Sequence, residues 1–176
     1  MNRRTRVFSF VAGLLVATVI AACADEATAP STPALAVAGT RPPSITRCTQ
    51  PYGATSGWIG PQGGRLKVGG NTLYVPMGAL SAPTFITMET PSGNISHVVF
   101  GPEGLTFNSN YPAHLVMSYQ NCLVAPDAIQ QVAHTSASLN ILETQPSVTD
   151  PVNLTIDAKL FHFSDYVILS TYAVAY

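Results

Sequence analysis

Arg65-Leu66-Lys67-Val68-Gly69-Gly70-Asn71-Thr72-Leu73-Tyr74-Val75 is the stretch that decides the fold. Residues 65–68 alternate polar and apolar, the period of a strand with one buried face. Gly69-Gly70-Asn71 is a turn, and residues 72–75 make the returning strand of a hairpin. The same pattern runs outward in both directions. Pro61-Gln62-Gly63-Gly64 is a turn before the hairpin, and Pro76-Met77-Gly78-Ala79-Leu80 is a compact connection after it. Residues 84–89 alternate, 98–100 are a short apolar strand, and Gly101-Pro102-Glu103-Gly104 turns into 105–107. Strands are then expected at 114–119, 132–134, 139–142, 153–157, 160–163 and 166–169, with Thr135-Ser136-Ala137-Ser138 as a turn. Residues 126–130 read as one helical turn or a loop. No apolar period of 3.6 persists for three turns, so the chain is expected to be all-β, an antiparallel β-sandwich.

The N-terminal part reads differently. Arg3, Arg4 and Arg6 make a basic start, residues 7–19 an apolar run, and Val19-Ile20-Ala21-Ala22-Cys23 follows. This resembles the lipobox of bacterial lipoproteins. In that family a lipid such as palmitate is attached to the cysteine thiol, and the segment before it is removed. The resemblance implies a signal peptide at 1–22, lipid on Cys23 and a membrane as partner at the bacterial cell envelope. Ala24, rather than an acidic residue, after the cysteine favours the outer membrane, with a periplasmic or a surface-exposed domain both open. The same residues admit a secretory signal cut after Ala22, leaving a free thiol. They also admit a short uncleaved anchor, although the apolar core falls short of the ~20 residues of a full span.

Residues 23–47 are rich in Pro, Ala and Thr without apolar periodicity, and are expected to form a disordered tether of about 27 Å average reach. Residues 48–176 are expected to form the β-sandwich. The full chain of 176 residues carries a net charge of −1. Loss of the three leader arginines leaves five basic against nine acidic residues, a net charge of −4. There is no basic patch or charge run, so nucleic acid has no electrostatic footprint here.

With Cys23 assigned to lipid, Cys48 and Cys122 remain. In an oxidising compartment an even remainder suggests a disulfide; the alternative is two separate buried thiols. Neither has a second ligand at Cys-x-x-Cys or Cys-x-His spacing, so no metal site is read from them. His97, His114 and His134 stand far apart and are read as surface or strand residues. Acidic residues are isolated, and neither Gly-Gly pair precedes a phosphate-binding helix. No cofactor is expected. Trp58, Tyr52 and Tyr111 are read as buried or partly buried aromatics, with a ligand-lining role as the alternative.

Three passages carry a second resemblance. They are Gly63-Gly64-Arg65-Leu66 through Leu73-Tyr74-Val75-Pro76-Met77-Gly78-Ala79-Leu80, then Phe100-Gly101-Pro102-Glu103-Gly104-Leu105-Thr106-Phe107 with Pro112-Ala113-His114-Leu115, then 160–166 with His162-Phe163-Ser164. In order and spacing they are similar to the ZU-five (zonula occludens / uncoordinated-five) domain, over roughly residues 57–170. That family has a β-sandwich fold and consists mostly of scaffold and interaction modules. The resemblance implies a binding or structural module, here with an envelope protein or a glycan as partner.

Some ZU-five domains cleave themselves at a His-Phe-Ser tripeptide. By resemblance, Phe163–Ser164 is the candidate scissile bond, with Ser164 as nucleophile and His162 as general base. The competing reading is a plain strand, with Phe161 and Phe163 in the core and His162 and Ser164 on the opposite, outer face. An enzyme acting on other molecules is not expected, since no catalytic set is present.

Overall fold

The 65–75 hairpin forms as the alternation requires. In the computed structural model, which describes residues 42–172 apart from Asp127 and the side chain of Tyr172, β4 (Gly64–Val68) pairs antiparallel with β5 (Asn71–Val75). Leu66 faces Leu73 across the ladder. Leu66, Val68, Leu73 and Val75 are buried, while Arg65, Lys67 and Tyr74 face solvent. Gly69 makes the turn at a φ of 56°, a backbone state glycine adopts without a Cβ penalty.

Two sheets pack face to face around this pattern. The smaller has the order β12 (Ser147–Asp150), β13 (Thr155–Leu160), β9 (Ala113–Ser118), β5, β4. The larger runs β11 (Ile141–Thr144), β10 (Ala128–Thr135), β14 (Asp165–Tyr172), β8 (His97–Gly101), β6 (Thr84–Thr90), β3 (Gly53–Ile59), with β1 (Ser44–Ile45) also on β14. A separate ribbon joins β2 (Arg47–Gln50) to β7 (Gly93–Ile95). Every pairing is antiparallel. No helix occurs among the described residues. The fold is an all-β antiparallel β-sandwich, in agreement with the sequence reading.

Between the sheets lies one core. Leu73, Leu115, Met117, Ile156 and Leu160 enter it from the smaller sheet, and Ile86, Met88, Val98, Tyr166 and Ile168 from the larger. On the far side of the larger sheet, Ala133, Val167 and Leu169 are covered by Ile45, Ile95 and Leu139. The β10–β14 half of that outer face is therefore covered, whereas its β3–β6 edge carries exposed Trp58 and Phe85.

The chain changes sheet repeatedly, and the turns that do so are specific. At the β3–β4 corner Gly60 and Gly63 bridge each other. Gly63 has a φ of 77°, and a Cβ there would collide with the Val75 carbonyl oxygen, so only glycine fits.

Several elements depart from expectation. Residues 126–130 are neither helical turn nor wholly loop, because β10 begins at Ala128 and pairs along its length with β14. Leu139 is not in a strand: it sits at a φ of 61°, and β11 starts two residues later. Residues 161–163 do not continue β13. Of the residues read as the end of the tether, 44–46 belong to the sandwich and Arg47 opens β2 of the ribbon. Ser44 and Ile45 pair with Ser170 and Leu169, and the Thr46 N–H donates to the Ile168 carbonyl at 2.8 Å. Their polar backbone is satisfied by β14, which no side-chain period could announce. The leader, Cys23 and the tether as far as residue 41 lie outside the described residues.

Candidate functional site

His162, Phe163 and Ser164 lie where the chain leaves the smaller sheet at Leu160 and enters the larger at Asp165. Strand alternation fails in this crossover. Phe163 is 1% exposed but Phe161 is 40% exposed, and Ser164 is buried at 8%. The expectation of two core phenylalanines and an outer serine is thus corrected: the bend turns Phe161 outward and Ser164 inward. Phe163 anchors the bend, stacked on Phe100 with centroids 4.6 Å apart and edge-on to Phe107 at 5.0 Å.

Backbone hydrogen bonds hold the bend against residues 100–107. The Phe163 N–H donates to the Leu105 carbonyl at 2.8 Å, the Phe107 N–H to Phe161 at 2.9 Å, and the Phe100 N–H to Ser164 at 3.3 Å. The buried Tyr166 hydroxyl donates to the His162 carbonyl at 2.6 Å. Burial pushes the Tyr166 phenol well above its ordinary value, with the Glu143 charge adding to it, so it stays a donor at any ordinary pH. The Phe163 carbonyl accepts the Gly104 N–H at 3.0 Å, and His162 Nδ1 stands 3.5 Å from the same oxygen. The Gly104 N–H and an imidazole nitrogen thus both stand at the carbonyl of the candidate scissile bond. Gly104 presents its N–H from a φ of 73°. The non-glycine residues with positive φ, Leu139 and Leu154, lie in other turns.

The crossover also assembles a group that spacing did not reveal. His134 on β10 stands directly opposite Glu143 on β11 and, on its other side, opposite Tyr166 on β14. Its ring lies 4.8 Å from that of His162, edge to face. One ligand atom each of His134, Glu143 and His162 falls within 4.8 Å of the others. Burial, and then the neighbouring His162, hold the His134 imidazole below its ordinary value, against the opposing pull of Glu143, Asp165 and Glu103. The ladder between β10 and β11 shifts register between His134 and Thr135, and such bulges re-aim side chains. The sequence reading missed both His134 and Glu143 as site residues. The one available signal was that His134 shares the inward parity of Val132 on β10.

The other histidines are paired strand residues, as expected. His97 Nε2 lies 3.2 Å from Asp165 Oδ2, and His114 Nδ1 lies 2.9 Å from Asp157 Oδ1. Cys48 and Cys122 are joined by a disulfide, which resolves the two-thiol alternative. They line a cleft of about 220 Å³ together with Gln50, Asn71 and Ser118. No Asp, Glu, His, Lys or Arg lines it among the described residues, so they bring no group for general acid–base chemistry there.

The aromatic residues are corrected. Trp58 is 72% exposed, Tyr52 64% and Tyr111 50%. Trp58 takes the outward parity of an edge strand whose inward positions are Gly57 and Ile59. It meets Phe85, its cross-strand partner, edge to face with centroids 5.5 Å apart. Ser56 and Thr87 form the next outward pair on the same two strands.

Comparison with protein-family models and with curated proteins finds no match.

Proposed function

We propose that this chain is a lipid-anchored binding module of the bacterial cell envelope, related to the ZU-five domains and held to a membrane through Cys23. The observation that carries the binding role is the Trp58–Phe85 pair on the uncovered end of the larger sheet. Two large aromatics exposed side by side on a rigid sheet mark an interaction surface. Their occupant is a glycan. Aromatic faces match the apolar C–H face of a sugar ring, while Ser56 and Thr87 offer hydroxyls beside them and no cationic side chain stands in that cross-strand patch. The leader and the Pro-rich segment support the location, since such a segment holds a domain off a surface.

Two measurements test this reading. Radiolabelled palmitate is expected in the wild-type chain expressed in bacteria and absent from Cys23→Ala. Trp58 is the only tryptophan, so its emission reports directly on the patch. Adding envelope polysaccharide should shift that emission, and Trp58→Ala should lose retention on the same polysaccharide. Unchanged emission, with equal retention of both chains, would remove the glycan; capture of an envelope protein through Trp58 would replace it.

A second reading, self-cleavage, is favoured by the Gly104 N–H on the Phe163 carbonyl and the His162 imidazole beside it. Attack by Ser164 Oγ on that carbon would transfer the serine proton to His162 and break the amide C–N bond. The freed Ser164 amine takes the proton, leaving an ester that water hydrolyses to the Phe163 carboxylate and the serine hydroxyl. Gly104 N–H would stabilise the oxyanion. The intact mass of the denatured chain checks this: two fragments split at Phe163–Ser164, abolished in Ser164→Ala, establish cleavage. A single uncut chain after prolonged incubation of folded protein rejects it.

A further inference from the structure

We propose that His134, Glu143 and His162 form a binding site for one divalent transition-metal ion of the zinc type. The argument begins with placement. Three ligand-bearing side chains, separate in sequence, have donor atoms within 4.8 Å of one another. A tetrahedral zinc ion holds N and O ligands at about 2.0–2.2 Å, hence about 3.4 Å from each other. Side-chain rotation is the route by which the difference would close. Glu143 can make it, because its side chain is exposed on edge strand β11 and has no hydrogen-bond or ion-pair partner among the described residues.

The two histidines are held more firmly. His134 is fixed by ladders on both sides, to β11 and to β14. The His162 backbone bridges Thr106 and its carbonyl is capped by the Tyr166 hydroxyl. The Nδ1 of His162 faces the Phe163 carbonyl at 3.5 Å. A proton on Nδ1 directed to a backbone carbonyl leaves the Nε2 lone pair for a metal, the arrangement that outer partners impose on ligating histidines.

The donor chemistry selects the ion. Two imidazoles and one carboxylate suit Zn²⁺ and its neighbours in the first transition row, whereas Ca²⁺ and Mg²⁺ ask for oxygen ligands. Three protein ligands leave a fourth position for water. His97 with Asp165 and His114 with Asp157 offer only two groups each, so they serve as internal controls.

The test is calorimetric titration of the purified chain, free of any histidine tag, with ZnCl2. Visible absorption of the Co²⁺ form reports the geometry. One ion per chain is expected, with tetrahedral Co²⁺ bands. Loss of a ligand should weaken Zn²⁺ binding by about tenfold or more in His134→Ala, His162→Ala and Glu143→Gln, while His114→Ala should bind as the parent does. Glu143→Gln alters only an exposed side chain, so it decides the matter even where a histidine variant unfolds. Absence of binding, or binding unchanged by Glu143→Gln in a folded chain, overturns the site.

Discussion

At the scale of single residues, His134 makes stability depend on pH. Its imidazole binds a proton less readily in the folded chain than in the unfolded one, chiefly through burial and then through His162. Unfolded histidine takes up its proton near pH 6.5; folded His134 does so only at lower pH. The unfolded state therefore binds more protons in this interval, so stability falls as pH falls. The His134 contribution is fully present above about pH 6.5 and is lost as pH drops through its folded value. Urea midpoints measured from pH 7 to pH 5 should fall, and should fall less in His134→Gln. An equal decline in both chains would assign the effect to other groups. Residue identity was legible only where environment follows from parity. Leu66, Val68, Leu73 and Val75 were readable as core, because the hairpin is regular. Phe161 and Ser164 were not, because the chain bends there and alternation ends. The His134–Glu143–His162 cluster was illegible because its members meet through a cross-strand register, a bulge and a crossover, none of which leaves a fixed spacing.

At the scale of elements, strands with a buried face were legible and strands without one were not. β4, β5, β6, β8 and β9 bury one face each, and that burial writes a period of two into the sequence, while β14, buried on both faces, reads as a continuous apolar run. β11 buries nothing, and β7 and β12 have at most partly buried positions. Nothing in their side chains selects a face, so β7 and β12 passed unnoticed and β11 was placed two residues early. What sets the corners is backbone geometry, and glycines at positive φ test it. Gly63 and Gly69 both lie in the left-handed region, at 77° and 56°. A Cβ at Gly69 meets open space, whereas one at Gly63 strikes the Val75 carbonyl. Gly69→Ala should cost about 1 kcal/mol, the left-handed penalty alone. Gly63→Ala adds a collision with the backbone at the β3–β4 corner and should cost more, about 2–3 kcal/mol. Thermal melts of the two variants compare them directly, and equal midpoints would show that the corner relaxes without resistance.

At the scale of the whole molecule, the disulfide joins parts that the sheets leave apart. Cys48 sits in β2, a strand of the two-stranded ribbon that belongs to neither sheet, and Cys122 sits in the connection from β9 to β10. Beside the bond, the Thr49 N–H donates to the Asn121 carbonyl at 2.9 Å and the Leu123 N–H to Arg47 at 2.7 Å. The ribbon is thus clamped where the chain enters the sandwich. Cys48 and Cys122 are 74 residues apart, and cross-linking over that separation restricts the unfolded chain by roughly 4 kcal/mol at most. For a domain of this size each kcal/mol moves the melting temperature by about 2–4 °C. The paired Cys48→Ser and Cys122→Ser variant should therefore melt lower by as much as about 8–16 °C. The loss has two parts that hydrogen exchange separates. The entropic part acts on the unfolded state and lowers protection everywhere, including the core strands β9 and β14. The clamping part acts only on the native ribbon and should open β2 and β7 first, because a two-stranded ribbon alone is marginal in water. Fast exchange confined to those strands, with the core unchanged, would make the bond a local clamp. A uniform decline would make it a constraint on the unfolded chain. The isolated position of the ribbon, outside both sheets, predicts that both appear and that the ribbon leads.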